Sequence, residues 1–457
     1  MTDHRTQGYG LKWAYEDGSG ELNPAWTATP DIPTIQRIAA EHLSLETSSV
    51  DAKFHAEGAF NKLYIVSPHS SSQQYLMRVA LPVEPFFKTE SEVALMGFLR
   101  KHTSLPVPKV VVYSSSADND LRFEWALLEY IEGVPLADLW DGMSFSAKSD
   151  LSMQMLGHIK EMRRFEFSYF GNLYFSKLCD QVNGQPATWI RTSADNNKVG
   201  PDVESDPEFV IGRIVHPWFF RDKQIHLDAD RGPYKSSCDL MLAKTDMQIE
   251  RIRHLEPNPG DEYYSEIDEY LAKHEKVVLN TCSGLRDLVP DIFHQTEEQR
   301  LLYHHNLSDN NMILNPYTLE LNGIVDWESV GICPSWKATK VPHFLKGIEV
   351  LEPPPIGTPG VDEESLVEIR KDWDRQCLRR IFSEDLPEAQ MTRDTRRKLK
   401  FASLLEQIET RWPAARHWLP GLADPHSKEW EGRPLASWVF PTQEAAAAAR
   451  AKQSELE

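Results

Sequence analysis

Residues 301–331 read LLYHHNLSDNNMILNPYTLELNGIVDWESVG, and four side chains in that stretch could do chemistry together. They are His304, Asn306, Asn311 and, fifteen residues after Asn311, Asp326. Apolar runs follow Asn311 (MIL, 312–314) and precede Asp326 (GIV, 323–325). A strand–turn–strand unit built on those runs would project Asn311 and Asp326 from neighbouring backbone positions. An amide beside a carboxylate suits a divalent cation carrying phosphates, because Mg²⁺ takes oxygen ligands and keeps several waters. Taken singly, Asp326 would read as a strand-end cap and His305 as a packing or solvent-exposed residue.

The elements that must hold this segment are legible in outline. KLYIVS (62–67), YLMRVA (75–80), KVVVYS (109–114) and WALLEYI (125–131) are short runs rich in β-branched and aromatic residues. Between the second and third, Val93, Met96 and Leu99 recur at helical spacing, which predicts a helix over 89–101. Past Gly133 the texture turns helical, with an apolar stripe at Leu151, Met155, Ile159 and Met162. The expected fold class is α+β, with two lobes. An antiparallel β N-lobe with one helix spans 50–132, and a mainly α C-lobe spans 133–440. An N-terminal extension, 1–49, carries a helix from Pro33 to Leu45, and 441–457 forms a helical tail. The stretch 179–262, rich in Pro, Gly, Asn and Asp, reads as a partly ordered insertion, and 351–361 as a rigid proline-rich connector.

With these motifs in order, the chain resembles the aminoglycoside phosphotransferase family, a protein-kinase-like group whose catalytic and metal loops follow HxDxxxxN and (I/V)DW. EGAFNKLY (57–64) is similar to that family's nucleotide loop, and PFFKTESEVALMGFLR (85–100) with PVPKVVVYS (106–114) to its helix and following strand. YFGNLYF (169–175), FFRDKQ (219–224) and DRGPYKS (230–236) resemble a fungal branch, the altered-inheritance-of-mitochondria type. The resemblance covers roughly 50–350 and implies the two-lobed protein-kinase-like fold, with ATP and Mg²⁺ as cofactors. It implies that Gly58 covers the nucleotide phosphates, and that Arg78 replaces the usual phosphate-gripping lysine and pairs with Glu92. The backbone of Glu129 and Ile131 would bind adenine, Asn311 and Asp326 would hold metal, and His304 would be a scaffold residue. From composition alone, Arg78 and Glu92 would read as a structural ion pair and Gly58 as an ordinary turn.

One position departs from the pattern. Asn306 stands where the family has its catalytic aspartate, and an amide can hold a hydroxyl but cannot take its proton. Asp309 lies in the wrong register to replace it. The expected function is an ATP- and Mg²⁺-dependent small-molecule O-phosphotransferase, an enzyme acting on an alcohol group, with Asn306 orienting the acceptor. Two alternatives stand beside it. One is a pseudokinase that binds nucleotide or a partner without turnover, and the other is a kinase-like scaffold turned to other small-molecule chemistry.

Composition limits the partners. Sixty-nine acidic residues against 49 basic ones give a net charge of −20, which repels a phosphate backbone and an anionic membrane. Neither nucleic acid nor membrane is an expected partner, and the excess of carboxylates points to a cationic or amine-bearing acceptor. No run approaches the roughly 18 apolar residues that a membrane span requires. The first twenty residues lack a signal core and the composition of a transit peptide. The five cysteines are scattered, without metal spacing, and read as reduced thiols. These features give cytoplasmic as the expected location.

Overall fold

The computed structural model describes residues 9–15, 22–178, 190–191, 206–255, 266–294, 298–339, 341–347, 363–386 and 391–430. The expected tail (441–457), the connector at 351–361 and most of 179–205 lie outside these residues.

A hairpin, Leu11–Tyr15 (β1) with Leu22–Trp26 (β2), opens the described chain. A helix follows, Ile32–His42 (α1), begun by the Asp31 side chain, which accepts the Thr34 N–H at 2.9 Å. Five strands then form one antiparallel sheet: Val50–Glu57 (β3), Asn61–Pro68 (β4), Tyr75–Ala80 (β5), Val110–Ser114 (β6) and Glu124–Glu129 (β7). Their spatial order is β3-β4-β5-β7-β6. Ile35, Ile38 and Ala39 of α1 pack with Tyr64, Val66, Met77 and Trp125 in one apolar core, so the N-terminal segment is built into this lobe.

Helix α2, Phe87–His102, connects β5 to β6. It is buried on most sides, and its buried residues include the charged Lys88, Glu90 and Glu92 as well as the apolar Val93, Leu95 and Leu99. Ala94, Leu95, Phe98 and Leu99 belong to the core of the second lobe, so α2 joins the lobes mechanically. Between the lobes the chain passes through Gly133, whose φ of +138° suits glycine. A Cβ there would lie 2.4 Å from the Leu314 carbonyl oxygen. That close approach lets Val134–Pro135 (β8) pair with Met312–Leu314 (β13).

The second lobe is mainly helical. Helix α3 (Phe145–Arg163) is followed by Asn172–Phe175 (β9), Ile190–Arg191 (β10) and Phe209–Gly212 (β11), which form a small antiparallel sheet. Ser236 and Asp239 close a capping box on α4, Ser237–Arg253, and α5 spans Glu266–Ile292. Although α4 lies within the expected insertion, Leu240, Met241, Met247 and Ile252 are part of the main core. The segment at 206–255 is therefore structural. Arg300–Tyr303 (β12) pairs with Gly331–Pro334 (β15), and β13 pairs with Leu321–Ile324 (β14). Three further helices, α6 (Glu363–Asp385), α7 (Arg393–Glu406) and α8 (Ile408–Ala423), complete the lobe. No described helix is long and apolar enough to cross a membrane.

Candidate functional site

The β13–β14 hairpin does what the sequence pattern requires. Met312 pairs with Ile324, so Asn311 and Asp326 leave the hairpin at its open end. Asn306 comes in on the preceding loop. Its Nδ2 donates to Asp326 Oδ2 at 3.3 Å, and Asn311 Nδ2 donates to the same oxygen at 3.3 Å. Asn311 Nδ2 also donates to the Asn306 carbonyl at 2.9 Å, which turns the Asn311 amide oxygen away from these bonds. Asp326 takes a left-handed backbone, φ +65°, which a short polar side chain tolerates better than most.

Across the cleft, Arg78 on β5 forms an ion pair with Glu92 of α2, and both side chains are buried. Arg78 also reaches Glu328, its guanidinium 2.6 Å from Oε2. Lys88, one helical turn before Glu92, places Nζ 2.7 Å from the same oxygen and donates to Asn61 Oδ1 at 3.0 Å. Asn61 Nδ2 donates to Glu328 Oε2 at 2.8 Å. A single carboxylate, two residues beyond Asp326, thus gathers two cations and an amide from the N-lobe. It ties the loop at 326–328 to the sheet.

Burial and charge compete here. Burial alone would raise the Glu328 carboxyl, but Lys88 and Arg78 outweigh it and hold it down at about 2. Asp326 moves the other way, to about 6, because burial and the Glu328 charge exceed what Arg78, Lys88 and the Asn306 amide return. Burial lowers Lys88, against the pull of Glu328. His304 is buried with its ring 4.8 Å from the Trp327 ring, and burial depresses it to about 3, so it is a neutral packing residue.

The other expected residues lie around this centre. Gly58 sits in the exposed β3–β4 turn, its N–H donating to the Asn61 carbonyl at 2.9 Å. Glu129 ends β7, and its N–H is taken by the Lys109 carbonyl at 2.8 Å. Ile131 lies over Gly323 of β14, where a Cβ would come within 2.8 Å of Ile131 Cγ2. Sequence reading missed Lys88, Asn61 and Glu328. Two signals were available: Lys88 and Glu92 stand at i, i+4 on a helix, and Glu328 lies in the same DWE string as Asp326.

Among the described residues no group of three or more His, Cys, Asp or Glu could hold a metal. One carboxylate with one amide oxygen is instead a donor set for a cation that brings most of its own ligands, as Mg²⁺ on phosphates does.

No protein-family model matches the chain. Sequence comparison finds fungal proteins. A subtelomeric hrmA-associated cluster protein of Aspergillus fumigatus is 25% identical over 323 residues, covering 63% of this chain and 59% of that protein. The "Altered inheritance of mitochondria protein 9, mitochondrial" of Saccharomyces cerevisiae is 24% identical over 297 residues, 58% of this chain and 46% of its own length. The Meyerozyma guilliermondii protein of the same name reaches 38% over 214 residues, 43% and 33% of the two chains. Over these segments the chain is similar to the fungal altered-inheritance-of-mitochondria proteins.

This chain spans about half the length of the relatives it matches. Among solved structures, an aminoglycoside phosphotransferase in complex with ADP and hygromycin B aligns with a TM-score of 0.43 and 13% identity, covering 86% of this chain and 97% of that one. A putative fructosamine-3-kinase of Haemophilus somnus aligns at 0.39 and 10%, covering 85% and 97%. The mitochondrial designation of the altered-inheritance-of-mitochondria relatives overturns the expected cytoplasmic location. Reduced thiols argue only against an oxidising compartment and do not separate one reducing compartment from another.

Proposed function

We propose that this protein binds ATP with Mg²⁺ between its lobes and transfers the γ-phosphoryl group to a hydroxyl of a small molecule. The observation that carries the reading is the convergence of Asn306, Asn311 and Asp326 on one lobe with Arg78, Lys88 and Glu92 of the other, joined through Glu328. Asn311 and Asp326 would hold Mg²⁺, which when bound neutralises charge on the phosphates. Arg78 and Lys88 would meet the phosphates as positive charge, with Glu92 and Glu328 fixing their positions. The turn at Gly58 would cover the phosphates, and the Glu129–Ile131 segment would take the adenine.

Asn306 would hold the acceptor hydroxyl. As the acceptor oxygen bonds to the γ-phosphorus, the bond to the β–γ bridging oxygen breaks, ADP keeps the electron pair and the hydroxyl proton passes to solvent. A loose transition state is stabilised mostly by positioning and charge, so transfer without a protein base is slow but physically possible.

A second reading rests on the same amide: nucleotide binding without turnover. Calorimetric titration with ATP–Mg²⁺, followed by a product search across hydroxyl-bearing metabolites, separates the two. Binding with product supports the enzyme, and binding without product or ATP hydrolysis supports the pseudokinase. No nucleotide binding sinks both. The relatives' name extends the proposal to a mitochondrial site of action, which organelle fractionation of the full-length protein tests.

A further inference from the structure

A groove of about 600 Å³ lies against the N-lobe sheet, and its lining includes none of the residues assigned above to phosphates, metal, adenine or acceptor. Four consecutive residues of β6, 110–113, line it. Successive strand residues point to opposite faces, so a groove that touches four in a row meets the strand along its edge. β6 is the last strand of its sheet: β7 pairs with one side of it, and no described strand pairs with the other. A bulge at Val111 leaves that apolar side chain exposed on the edge. Val93 and Gly97 of α2, with Phe175 at the end of β9, add apolar lining. The approach there is close, since a Cβ on Gly97 would lie 3.4 Å from Phe175 Cζ.

Charge is placed at both ends of this strand. Lys109 immediately precedes β6 and its side chain also lines the groove. Its backbone is turned to β7: the carbonyl accepts the Glu129 N–H at 2.8 Å, and its own N–H donates to Glu129 Oε2 at 3.2 Å. At the other end, Lys177 Nζ lies 5.9 Å from the Tyr113 ring centre and 4.9 Å from that of Phe175. Tyr113 is itself fixed, its hydroxyl donating to Glu90 Oε2 at 3.0 Å. The two lysines thus bracket β6 at positions about 14 Å apart along the strand, the span of four extended residues. Glu208, the acid among the lining residues, is 2.9 Å from Lys101 Nζ. Among the described residues, no carboxylate forms an ion pair with Lys109 or Lys177.

We propose that this edge binds an extended segment of a partner protein, which adds a strand to β6. The segment carries apolar residues over Val93 and Phe175 and an acidic residue at each end, toward Lys109 and Lys177. Backbone pairing to an open edge supplies affinity, and alternate side chains supply selectivity. A second copy of this chain fits worse. Antiparallel pairing of β6 with β6 would set Lys109 of one copy against the Tyr113–Lys177 end of the other, like charge opposite like. The inference stands apart from the phosphotransferase reading and does not depend on it.

The test uses the full chain. Short random peptides displayed on phage are selected against it, and the consensus peptide is titrated by calorimetry into wild type, Lys109→Glu and Lys177→Glu. Lys53→Glu, on β3 at the opposite edge of the sheet, is the control. Selected sequences should carry two acids flanking apolar, β-branched residues. Each charge reversal at the groove should weaken binding about tenfold or more, the usual weight of a charge-assisted contact, and Lys53→Glu should leave it unchanged. N-methylation of the peptide backbone separates strand addition from attachment through side chains alone. Methyl groups at alternate positions should abolish binding, and those at the intervening positions should not. Circular dichroism confirms folding, and the N-methyl series on wild type decides the question should a variant unfold. No enriched sequence, equal affinity for wild type and both groove variants, or N-methyl effects without alternation overturns the proposal. A wild-type dimer in sedimentation velocity that Val111→Lys dissociates would give the edge to a second copy and overturn it as well.

Discussion

Asn306 Nδ2 donates to Asp326 Oδ2 across 3.3 Å, so the residue that departs from the family pattern is a hydrogen-bond donor to the residue assigned to the metal. An aspartate at 306 would instead face that carboxylate with like charge, and one of the two would have to protonate unless a cation lay between them. The amide therefore keeps the loop together where a carboxylate would depend on metal. Asn306→Asp should increase phosphoryl transfer or ATP hydrolysis by about 10²-fold, the low end of what a positioned general base is worth. It should also make melting temperature depend on Mg²⁺–ATP more steeply than in wild type. Steady-state turnover with a thermal-shift titration checks both, and a variant with no gain in either would remove the catalytic reading of position 306.

Asp326→Asn removes the carboxylate assigned to the metal. Mg²⁺–ATP affinity should fall at least tenfold, while metal-free ADP binding changes much less. Calorimetry in the presence and absence of EDTA measures the difference. Equal losses in both conditions would point to a disturbed loop and not to metal.

Glu328 is the partner of both Arg78 and Lys88, and Lys88 is almost completely buried. Removing one member of a buried pair leaves an uncompensated charge and typically costs about 3–5 kcal/mol. Glu328→Gln should lower chemical stability on that order, and ATP should restore more of it than in wild type, because phosphates offer the charge that was lost. The double variant Lys88→Met/Glu328→Gln should be more stable than Glu328→Gln alone. Urea denaturation of the three proteins decides it, and simple additivity would mean that the pair is not energetically coupled.

Much of this was legible because the polar residues are tied to periodic surroundings. Asn311 and Asp326 bracket two apolar runs that can only be strands, so a hairpin joining them was readable without a structure. The strands at 62–67 and 75–80 were readable for the same reason, being β-branched on a half-buried surface. Val50–Glu57 was not, since only its first residue is buried and its sequence, VDAKFHAE, has no clear two-residue repeat. Nor was the role of 206–255. Its Pro- and Gly-rich start reads as loop, and nothing local announces that α4 enters the main core.

The last expectation concerns pH and the anchoring of α2. Glu124 of β7 accepts the Phe86 N–H and the Thr89 hydroxyl, each at 2.5 Å, and so caps the start of that helix from the sheet. Burial pushes its carboxyl up to about 7 despite those bonds. A carboxyl raised on folding gives stability that is present below its unfolded value and lost as pH rises through the folded one. The window runs from about 4.5 to about 7. Melting temperature should therefore decline across that range by an increment that Glu124→Gln abolishes, since the glutamine oxygen still accepts one bond and carries no charge. Because α2 also bears Lys88 and Glu92, ATP affinity should drift in the same window in wild type and less in the variant. Parallel pH profiles of melting temperature for the two proteins test this, and superimposable curves would mean that Glu124 does not titrate there.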